Sequence, residues 1–412
     1  MKTARKTTVV ATLKLCSPER LDAHILDLIA RGVDRRCPDA EFNRLALALF
    51  RHQFTRNAPY RRFCLALGFS PANVRHWTRI PAVPTTAFKD AELTTLKPAE
   101  RVAVFHSSGT TEQRPSRHFH SAATLALYDA ALWPMFEARM LEPVAAVYDR
   151  RTAARQKTAV IDRRYSDYRL IILTPTPAEA PHSSLVHMME TVRRRLGAPP
   201  SAFVGAAALD GGRTLGRAVQ SKIQNPKCKI LLLGTAFAFV RLLDAVRSLP
   251  LPPGSRVMET GGYKGRTREI PRDDLHALLL AKLGIPRNAI ISEYGMCELS
   301  SQFYEGAISP TPVFHPRHGG GRATRVAASR SDAPTFIFTG SPWTRVHVID
   351  PETGCEVREG KRGLIRIFDL ANRASVIAIQ TEDVGVRHGD GFALIGRAPQ
   401  AEARGCSLMV PT

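Results

Sequence analysis

Apolar runs of strand length alternate with helical patterns through the middle of this chain. The strand-length runs lie at 101–106, 158–161, 170–174, 202–206, 229–233, 256–259 and 289–291. Stretches with helical periodicity separate most of them, at 124–140, 182–195, 214–223, 237–248 and 272–283. Alternation of this kind is typical of an α/β fold. We therefore predict an α/β core over 101–330.

The N-terminal region reads mainly as helix. One apolar-periodic run begins at Pro18 and ends at Gly32, and a second begins at Asp39. The segment that follows Trp77, with the sequence TRIPAVPTTAFKD, has two prolines and little periodicity, which predicts an extended connector. We therefore predict a helical N-terminal region over 1–100.

Helical patterns are no longer found in the last part of the chain. Strand-length runs separated by Gly, Pro and Asp turns continue at 335–339, 346–349, 363–368, 375–380 and 392–395. This pattern predicts an antiparallel sheet or a distorted barrel appended to the core. We assign it to a β-rich subdomain over 331–412 that ends in a short tail.

The charge balance is strongly basic. Lys and Arg number 58 against 37 Asp and Glu, which gives a net charge of +21. The cations are spread thinly along the chain, so a codon bias toward arginine is the main explanation for the net charge. The functional explanation is a basic surface that binds an anion, which can be as small as a nucleoside triphosphate. A nucleic-acid-binding protein is the alternative from another class, but clustered cations with interleaved aromatics are missing, and aromatics are only 7%.

Cysteine usage and hydropathy indicate the compartment. The seven cysteines include no CxxC pair and no spacing suited to zinc, which favours a reducing environment. The most apolar segment, 230–240, is about half the length that a bilayer requires. We therefore expect a soluble, cytoplasmic protein without a membrane span.

The first loop that indicates chemistry follows the run at 101–106. It reads SSGTTEQRPS from Ser107 to Ser116, and hydroxyl groups surround a single glycine. Such a loop offers backbone N–H and hydroxyl donors to a polyphosphate, and Arg114 adds a cation that can hold phosphate oxygens. It is not a Walker A loop, and a capped strand–helix turn is the structural alternative.

Four further loops follow strand-length runs. The loop ETGGYKG begins at Glu259 and contains a pair of adjacent glycines. The loop EYGMCEL begins at Glu293 and contains an aromatic ring and two carboxylates suited to Mg²⁺. QTEDVG begins at Gln380 and places an acid where ribose hydroxyls are commonly bound, and GFALIGRA begins at Gly391. Each of these motifs is a weak signal alone, and it is their order along the chain that is informative.

In this order the five loops resemble those of the adenylate-forming ligases. SSGTTEQRPS is similar to their phosphate loop, GGYKG to the adenine-facing turn, YGMCE to YGxTE, TEDVG to the T(G/E)D motif and GFALIGRA to the hinge strand. A closer resemblance, to the LuxE-type acyl-protein synthetases, rests on IPAVPTTAFKD, SSLVHMM, TGGYKG, EYGMCELSSQFY and RGCSL. It implies the large N-terminal domain of that fold, with stacked mixed sheets flanked by helices and a distorted barrel, and without the usual C-terminal lid.

The resemblance also implies roles for particular residues. Asp383 and Arg397 would lie at the ribose, Glu298 would hold Mg²⁺, and Tyr294 with Gly295 would border the acyl-adenylate. Two further groups would bind ATP: the phosphate loop residues and the adenine-side residues, namely Ser107, Ser108, Gly109, Thr110, Thr111 and Arg114, and Gly261, Gly262 and Tyr263. Two departures weaken the match at the phosphates, because Glu112 replaces a glycine and Arg114 only approximately replaces a lysine.

The resemblance implies an ATP- and Mg²⁺-dependent ligase that activates a carboxylic acid, with a fatty acid favoured, as acyl-AMP. Lys264 is our candidate to replace the lid lysine, and an exposed turn lysine is the alternative. A protein thiol would then take the acyl group: Cys406, a partner reductase or an acyl-carrier protein. For Cys406 the alternative is an unreactive surface thiol. The alternative enzyme is an acyl- or aryl-CoA ligase of the phenylacetate–CoA ligase type.

Overall fold

The computed structural model describes residues 17–107, 114–141, 167–211, 213–223, 228–261, 268, 270–308 and 335–398. The helices of these parts are α1 (Pro18–Ala30), α2 (Asp39–Arg56), α3 (Ala58–Ala66), α4 (Ala87–Asp90), α5 (Ala122–Met140), α6 (Ser184–Arg195), α7 (Ala206–Asp210), α8 (Arg213–Lys222), α9 (Ala236–Ala245) and α10 (Arg272–Leu283). The predicted helical runs within these parts are confirmed, with boundaries displaced by a few residues.

The strands begin with β1 (Val83–Pro84) and the pair β2 (Ala103–His106) and β3 (Arg117–His120). The core contributes β4 (Tyr168–Leu173), β5 (Lys229–Thr235), β6 (Arg256–Thr260), β7 (Ile290–Tyr294) and β8 (Phe303–Ile308). The last part contributes β9 (Thr335–Thr339), β10 (Thr344–Ile349), β11 (Arg362–Asp369), β12 (Ala378–His388) and β13 (Gly391–Arg397).

Eleven of these strands form one mixed sheet. Its order is β10-β11-β12-β13-β9-β8-β7-β6-β5-β4, and β1 pairs with β12 outside this path. Strands β4 to β7 are parallel, whereas the path from β7 through to β10 is antiparallel. The mixed α/β fold is therefore confirmed. The proposed domain boundaries stay a prediction, because one sheet runs through the core and the β-rich part.

The parallel half is buried on both faces, which is why its strands are continuous apolar runs. On β4 and β5, Leu170, Ile172, Leu231 and Leu233 belong to one hydrophobic cluster. The alternate residues of the same strands belong to a second cluster that is covered by α9 and α10. Helices α5 and α6 contribute to the first cluster, so helices lie on both sides of the strands.

The N-terminal helices are anchored to the β-rich part of the chain. Arg373 forms a bidentate ion pair with Asp22 of α1, with Nε–Oδ1 and Nη2–Oδ2 distances of 2.8 and 3.1 Å. Gln53 of α2 donates to the carbonyl of Asn372 and accepts from the amide of Ile377. The helical region is thus packed onto the sheet through buried polar contacts.

Three local expectations were wrong. The connector after Trp77 is not simply extended, because β1 pairs in parallel with β12 and α4 follows it. The run 202–206 contributes only one bridge, from Phe203 to Ile172, because helix α7 begins directly after Gly205, whose φ is 78°. The run 375–380 is displaced to 378–388. The predicted run at 158–161 lies outside the described residues.

Candidate functional site

The carboxyl ends of β6 and β7 lie side by side. Thr260 is in register with Glu293, so Gly261 follows β6 beside the point where Tyr294 ends β7. Gly261 has a φ of 70°, a left-handed conformation that glycine adopts without strain. In open α/β sheets, ligands bind at this edge of the parallel strands. Three of the predicted site residues, Gly261, Tyr294 and Gly295, therefore meet at one edge.

Asp383 lies at the same place, although it comes from a distant part of the chain. The Tyr294 hydroxyl donates to Asp383 Oδ2 at 2.7 Å, and Asp383 is in register with Arg397 across β12 and β13. Arg397 Nε lies 3.6 Å from Asp383 Oδ1, and its side chain is 79% exposed. Asp383 is inside β12, next to a register shift, and not in a loop after a strand as predicted.

Gly295 is required by its neighbours. A Cβ atom at this position would lie 2.5 Å from Glu293 Oε1, a distance that real contacts do not reach. Glu293 is itself buried, and its other carboxylate oxygen accepts from the Thr260 hydroxyl. Burial raises the pKa of Glu293 to about 7. Gly295 thus leaves backbone accessible above a carboxyl group that holds its proton at slightly acid pH.

Glu298 lies four residues past Tyr294 and is buried. Its backbone carbonyl accepts from Asn372 Nδ2 at 2.8 Å, and its carboxylate makes no hydrogen bond or ion pair to another described residue. In the described parts of the chain, no group of three or more His, Cys, Asp or Glu could hold a metal ion alone. One uncommitted carboxylate fits Mg²⁺ that takes its other ligands from phosphates and water.

The predicted phosphate loop lies between two strands, and the next described element after it is β3 and not a helix. β2 and β3 pair in antiparallel fashion, and Ser107 and Ser116 close the hairpin: Ser107 N donates to the Ser116 carbonyl, and Ser116 N donates to Ser107 Oγ at 2.9 Å. His118 of β3 donates through Nδ1 to the Cys297 carbonyl at 2.6 Å. Arg114 lies exposed on the returning arm. The hairpin is therefore fixed to the segment that carries Glu298.

The remaining predicted residues lie outside the described part of the chain. They are Ser108, Gly109, Thr110, Thr111, Gly262, Tyr263, Lys264 and Cys406. Their roles stay predictions, as does the expected absence of a lid.

Sequence patterns did not reveal the buried polar residues that hold the segment carrying Glu298 in place. Asp369, at the end of β11, accepts from Ser301 Oγ and from the Ser300 amide, and Asn372 holds the Glu298 carbonyl. Burial raises the pKa of Asp369 to about 6. The only signal for Asp369 and Asn372 was that they are two of the four polar side chains inside the otherwise apolar stretch IFDLANRASVIA, the others being Arg373 and Ser375.

Comparison with known proteins agrees with this architecture. No protein-family model matches the chain. In sequence it is 22% identical over 381 residues to the long-chain-fatty-acid–luciferin-component ligase of Aliivibrio fischeri, over 89% of this chain and 86% of that protein.

Among solved structures, a 2-hydroxyisobutyryl-CoA ligase in the postadenylation state with 2-HIB-AMP is similar, with a TM-score of 0.58 and 14% identity over 88% of this chain and 69% of that one. An open conformation of the same ligase with 2-HIB-AMP and CoA gives a TM-score of 0.57 and 14% identity over 88% of this chain and 71% of that one. No helix in the described residues is long and apolar enough to cross a membrane. The chain therefore has the fold of the adenylate-forming enzymes, and over nearly all of its length its sequence is similar to that of a LuxE-type ligase.

Proposed function

We propose that this protein uses ATP to activate a carboxylic acid as acyl-AMP and then transfers the acyl group to a thiol. The observation that carries the proposal is the meeting of Gly261, Tyr294, Gly295 and Asp383 at the carboxyl edge of β6 and β7. The names of the similar proteins support the same chemistry, because one is a fatty-acid ligase and the other is a CoA ligase solved with an acyl-adenylate.

In the first step, a carboxylate oxygen of the acid attacks the α-phosphorus of ATP, and the bond to pyrophosphate breaks. Asp383 would accept hydrogen bonds from the ribose hydroxyls, and the hairpin with Ser107 and Arg114 would hold the phosphates. Glu298 would hold Mg²⁺, which would supply positive charge to stabilise the leaving pyrophosphate. The protein contributes mainly positioning and charge stabilisation.

In the second step, a thiolate attacks the acyl carbonyl carbon and AMP leaves with its electron pair. We propose Cys406 as the first acceptor, with an acyl-carrier protein or a reductase thiol as the next one, and Lys264 as the cation that offsets charge during adenylation. CoA is the second candidate acceptor, because a protein with the same fold was solved with CoA.

The test measures carboxylate-dependent ATP–pyrophosphate exchange with a panel of acids, followed by mass spectrometry of the protein. We expect exchange with at least one acid, strongly slowed exchange in Lys264→Met, and an acyl adduct that Cys406→Ser removes and Cys355→Ser retains. Cys355 is a suitable control because it is an exposed free cysteine.

Three results would contradict parts of the proposal. The absence of exchange with every acid would exclude the activation step, and steep salt-dependent binding to DNA would then favour the nucleic-acid alternative. Acyl-CoA formation without any protein adduct would favour CoA as the acceptor. Unchanged exchange in Lys264→Met would remove that lysine from the site.

A further inference from the structure

A cluster of buried polar side chains lies directly behind Gly295. We call it the Gln302 cluster, and it consists of Tyr128, Glu293, Gln302 and Tyr304. Glu293 is in register with Tyr304 across β7 and β8, which places both side chains on one face of the sheet. Gln302 Nε2 donates to Tyr128 Oη of α5 at 3.3 Å. The cluster thus joins two strands of the sheet to a helix that covers it.

The cluster begins where the acyl group is expected. A Cβ atom at Gly295 would lie 2.5 Å from Glu293 Oε1 and 3.7 Å from Gln302 Cγ. Only the missing side chain of Gly295 therefore separates the cluster from the backbone that the resemblance places beside the acyl-adenylate. We therefore expect a ligand group recognised by the cluster to lie close to the acyl carbonyl.

Two atoms of the cluster lack hydrogen-bond partners. Gln302 is 5% exposed and Tyr304 is fully buried, yet neither Gln302 Oε1 nor Tyr304 Oη has a partner among the described residues. An unpaired buried polar atom costs about 1–3 kcal/mol, and native proteins leave few of them. Gln302 and Glu293 adjoin Gly295, and Tyr304 is in register with Glu293. Two unpaired atoms in this cluster indicate that the substrate supplies the missing partner.

The chemistry of the two atoms identifies that partner. An amide oxygen only accepts a hydrogen bond, whereas a phenol can also donate one. A hydroxyl group satisfies both, because it donates to Gln302 Oε1 and accepts from Tyr304 Oη. An unsubstituted alkyl chain would leave both atoms unpaired. A substrate ammonium group is disfavoured, because burial raises the pKa of Glu293 to about 7 and so weakens the preference for the charged carboxylate that would pair with it.

We propose that the acid carries a hydroxyl group near its carboxyl end and that Gln302 and Tyr304 recognise this hydroxyl. The inference rests on the proposed function, since it takes Gly295 as the position of the acyl-adenylate. It concerns the hydroxyl and not the chain length, so hydroxylated fatty acids belong to the proposed class.

The test compares matched acids of short and long chain: butanoate with β-hydroxybutanoate, and tetradecanoate with β-hydroxytetradecanoate, with the α-hydroxy acids in parallel. We expect kcat/KM for pyrophosphate release to be about tenfold to a hundredfold higher for a hydroxylated acid than for its unsubstituted counterpart. In Tyr304→Phe and in Gln302→Leu, this preference should fall about tenfold. Binding of the corresponding acyl-sulfamate analogues of the adenylate, measured by calorimetry, should show the same preference without turnover.

Tyr60→Phe is the matched control. Tyr60 is also fully buried, but it lies in α3 and its hydroxyl donates to the Pro81 carbonyl at 2.9 Å. The control should keep the hydroxyl preference and lose stability, whereas Tyr304→Phe should unfold at the same temperature as the wild type or higher. A larger loss of stability in Tyr304→Phe than in Tyr60→Phe would overturn the premise that its hydroxyl is unpaired.

The outcomes separate this inference from the proposed function. Equal kcat/KM for both members of every pair, or a preference that survives both cluster variants, overturns the inference and leaves acid activation intact. Such a result would mean that water satisfies the two atoms. Failure of every acid to release pyrophosphate overturns both.

Discussion

Asp383 shows at the residue scale how the site is organised. Its Oδ2 accepts from the Tyr294 hydroxyl, and its backbone amide donates to Thr381 Oγ1 at 3.2 Å. These contacts fix the carboxylate at the edge of the sheet. Arg397 is largely solvated, so it stabilises the carboxylate only weakly. Asp383 therefore keeps acceptor capacity for a ligand hydroxyl.

Asp383→Asn tests this role. The change preserves the shape and the Tyr294 contact but removes the charge, so we expect KM for ATP to rise about tenfold to a hundredfold with little change in stability. The KM for ATP is obtained from pyrophosphate exchange measured at varied ATP concentrations. Asp350→Asn is the control, because Asp350 caps a turn by accepting from the amides of Glu352 and Thr353. An equal rise in both variants would contradict a specific role for Asp383.

Glu293 predicts a dependence of stability on pH. Burial raises its folded-state pKa to about 7 from an ordinary value of 4.5, so the folded chain keeps a proton that the unfolded chain has released. Its contribution to stability is therefore complete below pH 4.5 and is lost as the pH rises through 7. Relative to Glu293→Gln, the wild type should lose about 3 kcal/mol between about pH 4 and about pH 8 in urea unfolding.

The comparison with Glu293→Gln isolates this one group. Burial also raises the pKa of Asp369. Asp369 is present in both proteins, so its contribution to the pH dependence of stability cancels in the difference. A stability difference that stays constant with pH would show that Glu293 is charged in the folded state.

At the scale of elements, a buried imidazole links the β2–β3 hairpin to the segment that carries Glu298. His118 Nδ1 donates to the Cys297 carbonyl, and burial lowers the pKa of His118 to about 4, so the ring is neutral at pH 7. This hydrogen bond positions the hairpin against the segment that carries Glu298. His118 acts through these neighbours and is therefore a positioning residue.

His118→Leu should cost about 1–3 kcal/mol, because it removes a buried hydrogen bond to the Cys297 carbonyl, and it should raise KM for ATP more than it lowers kcat. His182→Leu is the control, since His182 Nδ1 also contacts a carbonyl, that of Val104, but its side chain is exposed. Denaturant unfolding of both variants gives the loss of stability, and the kinetics of ATP–pyrophosphate exchange give KM and kcat. Comparable losses in the two variants would argue against a special role for the buried contact.

The elements themselves were largely predictable, because apolar periodicity reports burial of whole faces. The pattern of α10 gave both of its ends correctly. β3 was missed because Arg117–His120 is polar, and it forms only because it pairs with β2 and packs its histidines inward. Of the candidate site, motif order in the sequence predicted Asp383, Tyr294 and Gly295, which the fold brings close together, and their roles stay predictions. It could not supply Gln302 or Tyr304, because their unpaired state depends on neighbours that are distant in sequence.

At the scale of the whole molecule, the N-terminal helices and the β-rich part stabilise each other. The Asp22–Arg373 pair is central, because Arg373 is 5% exposed and burial raises the pKa of Asp22 even beside the guanidinium. Asp22→Asn should lower the free energy of unfolding by about 3 kcal/mol, since it leaves a buried cation without its counter-charge.

Asp27→Asn, on the same helix, serves as the control for that measurement. Asp27 pairs with Arg31 one turn later, but its side chain is 68% exposed, so we expect a loss below about 0.5 kcal/mol. If Asp22→Asn were as mild as its control, the N-terminal helices would not belong to the same cooperative unit as the sheet.

The pairing of the chain's first helices with its last strands has a consequence during translation. The hydrogen bond of Gln53 can form only after Asn372, 319 residues later in the chain, has been synthesised. The two-residue strand β1 likewise can pair only after β12 has been synthesised. Contacts between such distant residues form late, because a long loop must close first. The apolar faces of α1 to α3 therefore leave the ribosome well before their partners exist. This protein should depend on chaperones more than its extensive sheet suggests, until the final strands have been synthesised.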